Sequence, residues 1–271
     1  MEDTIKPIFI RPLFKSKNPG LARWIPSFVF SWLERLIHQE EINQFIATYG
    51  DRKGLDFARG ILEYLRVDFR VDGEELLPGA DGRYIFASNH PLGGPDGIIL
   101  IAFLGERFPN LKFPVNDLLM NLKNLNNIFL PVNKHGGQAK EAAADIEKAF
   151  ASDAQIITFP AGMVSRKYHG VIKDPEWQKN FIAKAIKHHR DIIPVRVSGV
   201  NSPLFYRVFQ LRQLLGVKLN LEMMMLPRET FKKKGSTFTL KIGPPIPWQS
   251  LDKSKTTREW AREIQEQVYR M

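Results

Sequence analysis

The chain has 271 residues, of which 44% are hydrophobic and 25% charged, so it can form a packed core without disulfides or metal ions. It contains no cysteine, which excludes disulfide bonds, a cysteine nucleophile and any thiolate metal site. Its formal net charge of +10 favours an anionic partner: a nucleic acid, an anionic membrane surface or an acidic protein.

The first residues do not have the pattern of a secretion signal. Residues 1–20 lack a basic start followed by an apolar middle and a small-residue cleavage site. No uninterrupted apolar run approaches the ~18 residues needed to span a bilayer. We therefore expect a soluble or peripheral protein.

A predicted helix between Pro26 and Gly50 has two interpretations. Its apolar residues recur at helical spacing: Phe28, Val29, Trp32, Leu33, Leu36 and Ile37. This face either packs on the core or lies on a membrane surface, together with Trp24 and the basic residues around it. The basic composition favours the membrane. We predict a membrane-associating, amphipathic helical segment over residues 1–60 and an α/β domain over residues 61–271.

From residue 66 onward, strand-like and helix-like segments alternate. Strands are predicted at 66–71, 83–88, 112–115, 127–132, 155–159, 191–197, 219–225 and 236–242. Helices are predicted at 96–108, 138–152, 175–189, 203–216 and from a Thr256–Glu259 capping box to the end. The lysines 232–234 are interpreted as the tip of a hairpin between the last two strands. This alternation predicts an α/β fold with a mostly parallel sheet flanked by helices.

The loop at 88–97, SNHPLGGPDG, places one histidine and one aspartate among prolines and glycines. These residues forbid an ordinary helix, so the chain turns and can bring His90 back toward Asp96. Alone, His90 is interpreted as a buried or turn histidine and Asp96 as a helix N-cap. As a pair, the carboxylate fixes the imidazole tautomer and makes the other ring nitrogen a better base.

No nucleophile accompanies this pair. The sequence has no Gly-x-Ser-x-Gly elbow and no cysteine, so the base would act directly on a hydroxyl or amine of a bound acceptor. Metal ligation is the competing interpretation. The other histidines considered show no tight ligand spacing with acidic residues, and we predict no metal site: His135, His169, His188 and His189.

Asn89–His90 followed by Asp96 resembles the first motif of the PlsC-like glycerophosphate and lysophospholipid acyltransferases. Three further blocks follow in the family's order: NIFLPVNK (127–134), TFPAGMVSRK (158–167) and IIPVRV (192–197). The resemblance covers roughly residues 60–250. It implies that His90 is the general base and Asp96 its orienting partner, and that an acceptor hydroxyl attacks the thioester of an acyl carrier protein or coenzyme A. No bound cofactor is implied, and amides around Gly93, Gly94 and Gly162 are candidates for oxyanion stabilisation.

The sequence departs from the family pattern at several positions. Five residues rather than four separate His90 from Asp96, so the loop must bulge. Ala161 and Val164 stand where the third block has Glu and Arg, and Val132 or Asn133 replaces another Arg. Those family residues are associated with the acceptor's phosphate, which arginine binds through a planar fork. The departures indicate an acceptor other than lysophosphatidate.

A narrower resemblance supports this interpretation. NHPLGGPDG, FPAGMVSRK and SGVNSPLFY (198–206) are similar to a bacterial branch that acylates lyso-aminolipids, some of whose members carry a hemolysin label. In that branch the acceptor hydroxyl belongs to an amide-linked 3-hydroxy fatty acid. The implied acceptor carries a carboxylate that Arg166 and Lys167 would meet; alternatively, these two form an exposed basic turn. Asn201 either shapes the acceptor pocket or belongs to a capped turn.

The sequence therefore predicts an acyltransferase of lipid biosynthesis, peripheral at the cytoplasmic face of a membrane, that acts on a lyso-aminolipid. The expected substrate-binding residues are Asn89, Gly93, Gly94, Lys134, Pro160, Gly162, Arg166, Lys167 and Asn201. The alternatives are a lysophosphatidate acyltransferase and a non-catalytic, hemolysin-like lipid-binding protein. Nucleic-acid binding is not favoured, because the lysines are dispersed and no zinc-finger or RNP-like pattern is present.

Overall fold

The computed structural model of the protein describes residues 7–12, 19–116, 119–132, 139–218 and 220–271. The predicted site residue Lys134, with Asn133 and His135, lies outside the described residues. The strands are β1 (Asp68–Asp72), β2 (Tyr84–Ser88), β3 (Leu111–Val115), β4 (Phe129–Pro131), β5 (Gln155–Thr158), β6 (Arg166–Tyr168), β7 (Val171–Lys173), β8 (Asp191–Val197) and β9 (Thr237–Ile242).

Within the described residues, seven strands form one sheet in the order β1-β9-β8-β2-β5-β3-β4, and β6 and β7 form a separate antiparallel hairpin. All neighbours in the large sheet are parallel except β8 and β9. This confirms the predicted α/β fold. The carboxyl ends of β2, β5 and β8 consequently lie side by side at one edge, where the loop at 88–97 begins.

The helices are α1 (Pro19–Trp24), α2 (Ser27–Leu36), α3 (Gln39–Tyr49), α4 (Gly54–Leu65), α5 (Pro95–Arg107), α6 (Ala139–Ala151), α7 (Asn180–His188), α8 (Pro203–Leu214), α9 (Leu226–Phe231) and α10 (Thr257–Arg270). One core cluster joins α4 and α5 to the sheet, and another joins α7 and α10 to the opposite face. Because both faces are covered, every residue of β2 is buried. The capping box of Thr256 and Glu259 is present as predicted.

The predicted strand at 219–225 is wrong. A 3-10 helix over Leu221–Met225 continues into α9, and the three lysines therefore follow a helix instead of capping a hairpin. In this conformation Glu222 is fully buried, and its carboxylate binds two arginines from other elements. A local apolar pattern carries no information about those distant partners.

The predicted single helix between Pro26 and Gly50 is two helices, α2 and α3. The break is at His38, which adopts a left-handed φ of 55° while its ring stacks on Phe231 with centroids 4.6 Å apart. In α2 it is Phe30 that is buried, whereas Phe28 and Trp32 are 73% and 57% exposed. The interpretation that Phe28 and Trp32 pack on the core is therefore wrong. None of the helices in the described ranges is long and apolar enough to cross a membrane.

Candidate active site

The exits of the central strands β2 and β8 are held together by Asn89. Its side-chain amide donates to the carbonyl of Val197 at 2.9 Å, and its Oδ1 accepts the N–H of Val197 at 2.7 Å. The side chain is buried, and both of its polar ends are occupied. Asn89 was predicted to bind substrate, and its observed bonds fix the main chain next to His90.

The turn that follows brings His90 and Asp96 together. Nδ1 of His90 lies 2.9 Å from Oδ2 of Asp96, and the carboxylate is completely buried at the start of α5. The same Oδ2 accepts the main-chain N–H groups of Leu92 and Gly93. Burial opposes ionisation, but His90 and these N–H groups outweigh it and hold the pKa of Asp96 below its ordinary value. Asp96 is therefore a carboxylate, and its contact fixes Nδ1 as the ring nitrogen that donates to it.

The additional residue between His90 and Asp96 is absorbed at Gly93. Gly93 has a φ of 87°, in the left-handed region that glycine adopts without a steric penalty. A Cβ atom there would lie 2.7 Å from Leu226 Cδ2 and 2.9 Å from Val164 Cγ2. A bulge of this shape requires glycine, and it leaves the carboxylate in reach of the imidazole.

The imidazole of His90 is also held by an aromatic ring. It stacks on Phe159, at the end of β5, with centroids 3.9 Å apart and an interplanar angle of 15°. Phe159 packs edge-on against Phe113 of β3. The ring thus has one face against phenylalanine and Nδ1 against Asp96, which leaves Nε2 as the ring nitrogen available to an acceptor.

A second buried carboxylate, that of Asp174, supports the main chain of His90. Both of its oxygens lie 3.2 Å from the His90 main-chain nitrogen, and they also accept the Ser165 hydroxyl at 2.5 Å and the Trp177 indole N–H at 3.0 Å. Burial raises the pKa of Asp174, although these donors oppose that effect. The N–H of Asp174 in turn donates to the hydroxyl of Tyr269 in α10.

In the third sequence block, residues 158–167, the two side chains at the family's binding positions and beside them are buried in the protein. Val164, where the family has an arginine, is 1% exposed and packs with Phe205, Tyr206 and Met225. Arg166 is equally buried, with its guanidinium 3.1 Å from Glu222. Arg212 binds the other oxygen of Glu222 at 2.9 Å. The interpretation of Arg166 as part of an exposed turn is wrong, and its guanidinium is already paired with Glu222.

The remaining predicted binding residues are distributed around this edge. Lys167 is half-buried on β6, Pro160 is buried, and Gly162 is exposed with a φ of 63°. The N–H groups of Gly93 and Gly162 already donate, to Asp96 and to the carbonyl of Phe159, while Gly94 caps α5. The side-chain amide of Asn201 is buried without a hydrogen-bond partner among the described residues. Its neighbour Ser202 caps α8, as the turn interpretation predicted.

A pocket of about 490 Å³ opens beside the histidine, and we call it the sheet-edge pocket. Its wall contains Asn89 and Pro91, which flank His90, and Ser165, whose N–H donates to the His90 carbonyl at 2.8 Å. Its other polar wall residues are Asp72, Arg196, Ser198, Thr239, Lys241 and Tyr269. The pocket is thus formed by the strands β1, β7, β8 and β9, the loop after β2, the third sequence block and the end of α10.

Sequence reasoning missed Asp174, Phe159, Glu222 and the polar wall of the pocket. Glu222 left a signal, because an acidic residue inside the apolar run LNLEMMM indicates a buried ion pair. Asp174 left none, since it lies 84 residues from His90 along the chain.

Comparison with known proteins gives one family match, two similar relatives and one similar solved structure. A model of the acyltransferase family matches residues 12–271. A lyso-glycine lipid O-acyltransferase from Bacteroides thetaiotaomicron is 44% identical over 271 residues, covering 100% of this chain and 99% of that protein. One from Phocaeicola vulgatus is 42% identical, covering 100% and 97%. The crystal structure of the 1-acyl-sn-glycerophosphate acyltransferase PlsC from Thermotoga maritima has a TM-score of 0.49 at 16% identity, covering 97% of this chain and 93% of that one.

Proposed function

Since the chain belongs to the acyltransferase family and is an acyltransferase, we propose that it moves a fatty acyl group from an acyl thioester to the hydroxyl of a lyso-aminolipid. The family comparison confirms the resemblance that the four sequence blocks indicated. The observation that carries the proposal is the 2.9 Å contact between Nδ1 of His90 and the buried carboxylate of Asp96.

In the proposed mechanism His90 acts as the general base. Asp96, held ionised, accepts a hydrogen bond from Nδ1–H, and Nε2 takes the proton of the acceptor hydroxyl as its oxygen attacks the thioester carbonyl. The tetrahedral intermediate then expels the thiolate, which receives the proton from Nε2. The products are the new ester and the free thiol, and His90 returns to its neutral form. Phe159 and the Asp174 anchor keep the ring in place through both steps.

Two observations support an aminolipid acceptor. The two relatives that match the full chain are named for a lyso-glycine lipid. In addition, Val164 is buried where the family has an arginine associated with the acceptor's phosphate, and Arg166 is buried and paired with Glu222. A phosphate placed there would be without its bidentate partner.

The proposed acyl donor is acyl-acyl carrier protein or acyl-coenzyme A. Both donors are anionic, and the net charge of +10 favours encounter with either of them and with an anionic membrane surface. Two separate assays with the same acceptor test this, one with a labelled acyl-acyl carrier protein and one with the matching acyl-coenzyme A. The donor is the thioester that supports product formation.

The proposed membrane contact uses the N-terminal helices at the cytoplasmic face. Trp24, Phe28 and Trp32 recur every four residues and are 83%, 73% and 57% exposed. Such aromatic side chains bind at the headgroup boundary of a bilayer. Replacing all three by serine should reduce co-sedimentation with vesicles rich in phosphatidylglycerol, whereas Val171→Ser, an exposed apolar residue on β7, should not. Equal binding by both variants would exclude this contact.

The deciding experiment offers lyso-aminolipid and lysophosphatidate together in mixed micelles with a labelled acyl thioester. We expect acylated aminolipid from the wild type, and a loss on the order of 10²–10⁴-fold in kcat for His90→Ala. Product from lysophosphatidate alone would assign a phospholipid acyltransferase. Equal product from His90→Ala would exclude the mechanism, and lipid binding without any product would indicate a lipid-binding protein.

A further inference from the structure

We propose that the sheet-edge pocket binds the head-group carboxylate of the lyso-lipid acceptor through Arg196 and Lys241. This inference rests on the proposed function, and it replaces Arg166 and Lys167 as the residues that recognise the carboxylate.

Arg196 and Lys241 are paired in register across the antiparallel strands β8 and β9, so their side chains project from the same face of the sheet. Both are half-buried. Arg196 Nη1 donates to the main-chain oxygen of Tyr269 at 3.0 Å, and Lys241 Nζ donates to that of Met271 at 2.6 Å. No side-chain carboxylate among the described residues forms an ion pair with either cation. Each therefore retains donors for an anion, and the guanidinium offers the planar fork that a carboxylate fits.

The surroundings of the two cations favour an anion over a cation. Asp72 is the acidic residue of the wall; it is exposed and is paired in register with Lys241 across β1 and β9. The other polar side chains nearby are neutral donors, including the hydroxyls of Ser198 and Thr239. Lys241 is already bonded to the main-chain oxygen of Met271, the last residue described, so Arg196 is the cation of the wall that has no carboxylate partner among the described residues. A half-buried site of this kind screens an incoming carboxylate less than open solvent does.

The position of the pocket suits an acceptor whose hydroxyl must reach His90. Asn89 and Pro91, on either side of His90, belong to the wall. In an N-(3-hydroxyacyl) amino acid, the carboxylate and the hydroxyl carbon are separated by about two residue lengths, ~7 Å when extended. An acceptor of this length, held by its carboxylate at Arg196, would lie along the side of the pocket that Asn89 and Pro91 form.

The first test measures binding without turnover. N-dodecanoylglycine and its uncharged amide, N-dodecanoylglycinamide, are titrated into the full-length protein by calorimetry below their critical micelle concentrations. We expect the acid to bind about tenfold more tightly than the amide, and this preference to disappear in Arg196→Gln and Lys241→Gln. Arg196→Lys should retain part of the preference, and Lys253→Gln, an exposed lysine outside the pocket, should retain all of it. Equal binding of acid and amide by the wild type would overturn the proposal.

The second test separates acceptor from donor. Arg196→Gln should raise KM for the lyso-aminolipid about tenfold and leave KM for the acyl thioester unchanged, in preparations whose Tm and circular dichroism match the wild type. An increase in the donor's KM alone would assign the pocket to the donor's phosphates and overturn the proposal. If the wild type acylates no aminolipid but prefers N-dodecanoylglycine through Arg196, the proposed function fails and the carboxylate site stands. If it acylates aminolipid and Arg196→Gln changes no constant, the site fails and the function stands.

Discussion

The main-chain nitrogen of His90 lies 3.2 Å from both carboxylate oxygens of Asp174. A carboxylate from a distant part of the chain thus holds the backbone of the proposed general base, while Asp96 holds its ring. The same carboxylate binds Ser165 and Trp177, so it ties the end of β2 to the third sequence block and to the segment that precedes α7.

We predict that Asp174 positions His90 for catalysis in addition to stabilising the fold. Asp174→Ala releases the main chain at His90, and a displacement of about 1 Å at a reacting group can reduce the rate about 10²-fold. The measurement is kcat at a temperature where circular dichroism shows the variant to be folded.

The matched control is Trp177→Phe, which removes another donor from the same carboxylate but keeps the bond to His90. It should lower the Tm and leave kcat close to that of the wild type. If both variants lose kcat in proportion to their loss of stability, Asp174 has only a structural role.

The dependence of stability on pH should report the ionised state of Asp96. Its pKa in the folded protein is below the ordinary value of 3.8, chiefly because His90 and the N–H groups of Leu92 and Gly93 outweigh the effect of burial. Its contribution to the free energy of unfolding is therefore fully present above pH 3.8 and is lost as the pH falls through the lower folded pKa.

Asp96→Asn removes this contribution at every pH. Urea denaturation of both proteins should give a difference in unfolding free energy that shrinks as the pH falls below the ordinary pKa of an aspartate. A difference that instead grows toward acid pH would mean that Asp96 is protonated in the folded protein, and the general-base mechanism would then fail.

Gly93 should be far less replaceable than Gly162, although both have positive φ angles of 87° and 63°. Alanine at either position carries the backbone cost of the left-handed region, roughly 1–2 kcal/mol. At Gly93 the new methyl group also meets Leu226 and Val164, whereas at Gly162 it meets nothing within 4 Å.

Gly93→Ala is thus expected to lower both stability and kcat. Relief of the clash displaces the bulge at Gly93, and that bulge is what places Asp96 within reach of His90. Gly162→Ala should lower stability by the backbone cost alone. Denaturant unfolding and initial rates measured on the two variants test this; equal effects at both positions would show that the contact with Leu226 and Val164 is unimportant.

Glu222 should be among the least replaceable charged residues in the protein. It is fully buried between Arg166 and Arg212, and removal of one partner from such a group leaves buried charges uncompensated. We expect Glu222→Gln to lower the free energy of unfolding by about 3–5 kcal/mol.

The control for this prediction is Glu176→Gln, which breaks the solvent-exposed pair with Arg258. Exposed pairs contribute little, because water and salt screen them. Urea denaturation of the two variants in the same buffer makes the comparison. Similar small effects would mean that water or neighbouring groups compensate the two arginines once Glu222 is gone.

The sequence by itself determined the features that local chemistry controls. The prolines and glycines of SNHPLGGPDG require a turn, and that turn does place His90 against Asp96. The alternation of strands and helices determined the largely parallel sheet, because a helix that follows each strand returns the chain to the start of the next one. The order of four short blocks was sufficient to indicate the family.

Only the tertiary structure decided what the charged residues do. Arg166 looked like an exposed ligand for a carboxylate until Glu222 was found beside it, 56 residues away. Arg196 and Lys241 are far apart in the sequence, and the pairing of β8 with β9 places them together in a pocket. Burial and partners depend on contacts between distant segments, and local sequence patterns do not encode these contacts.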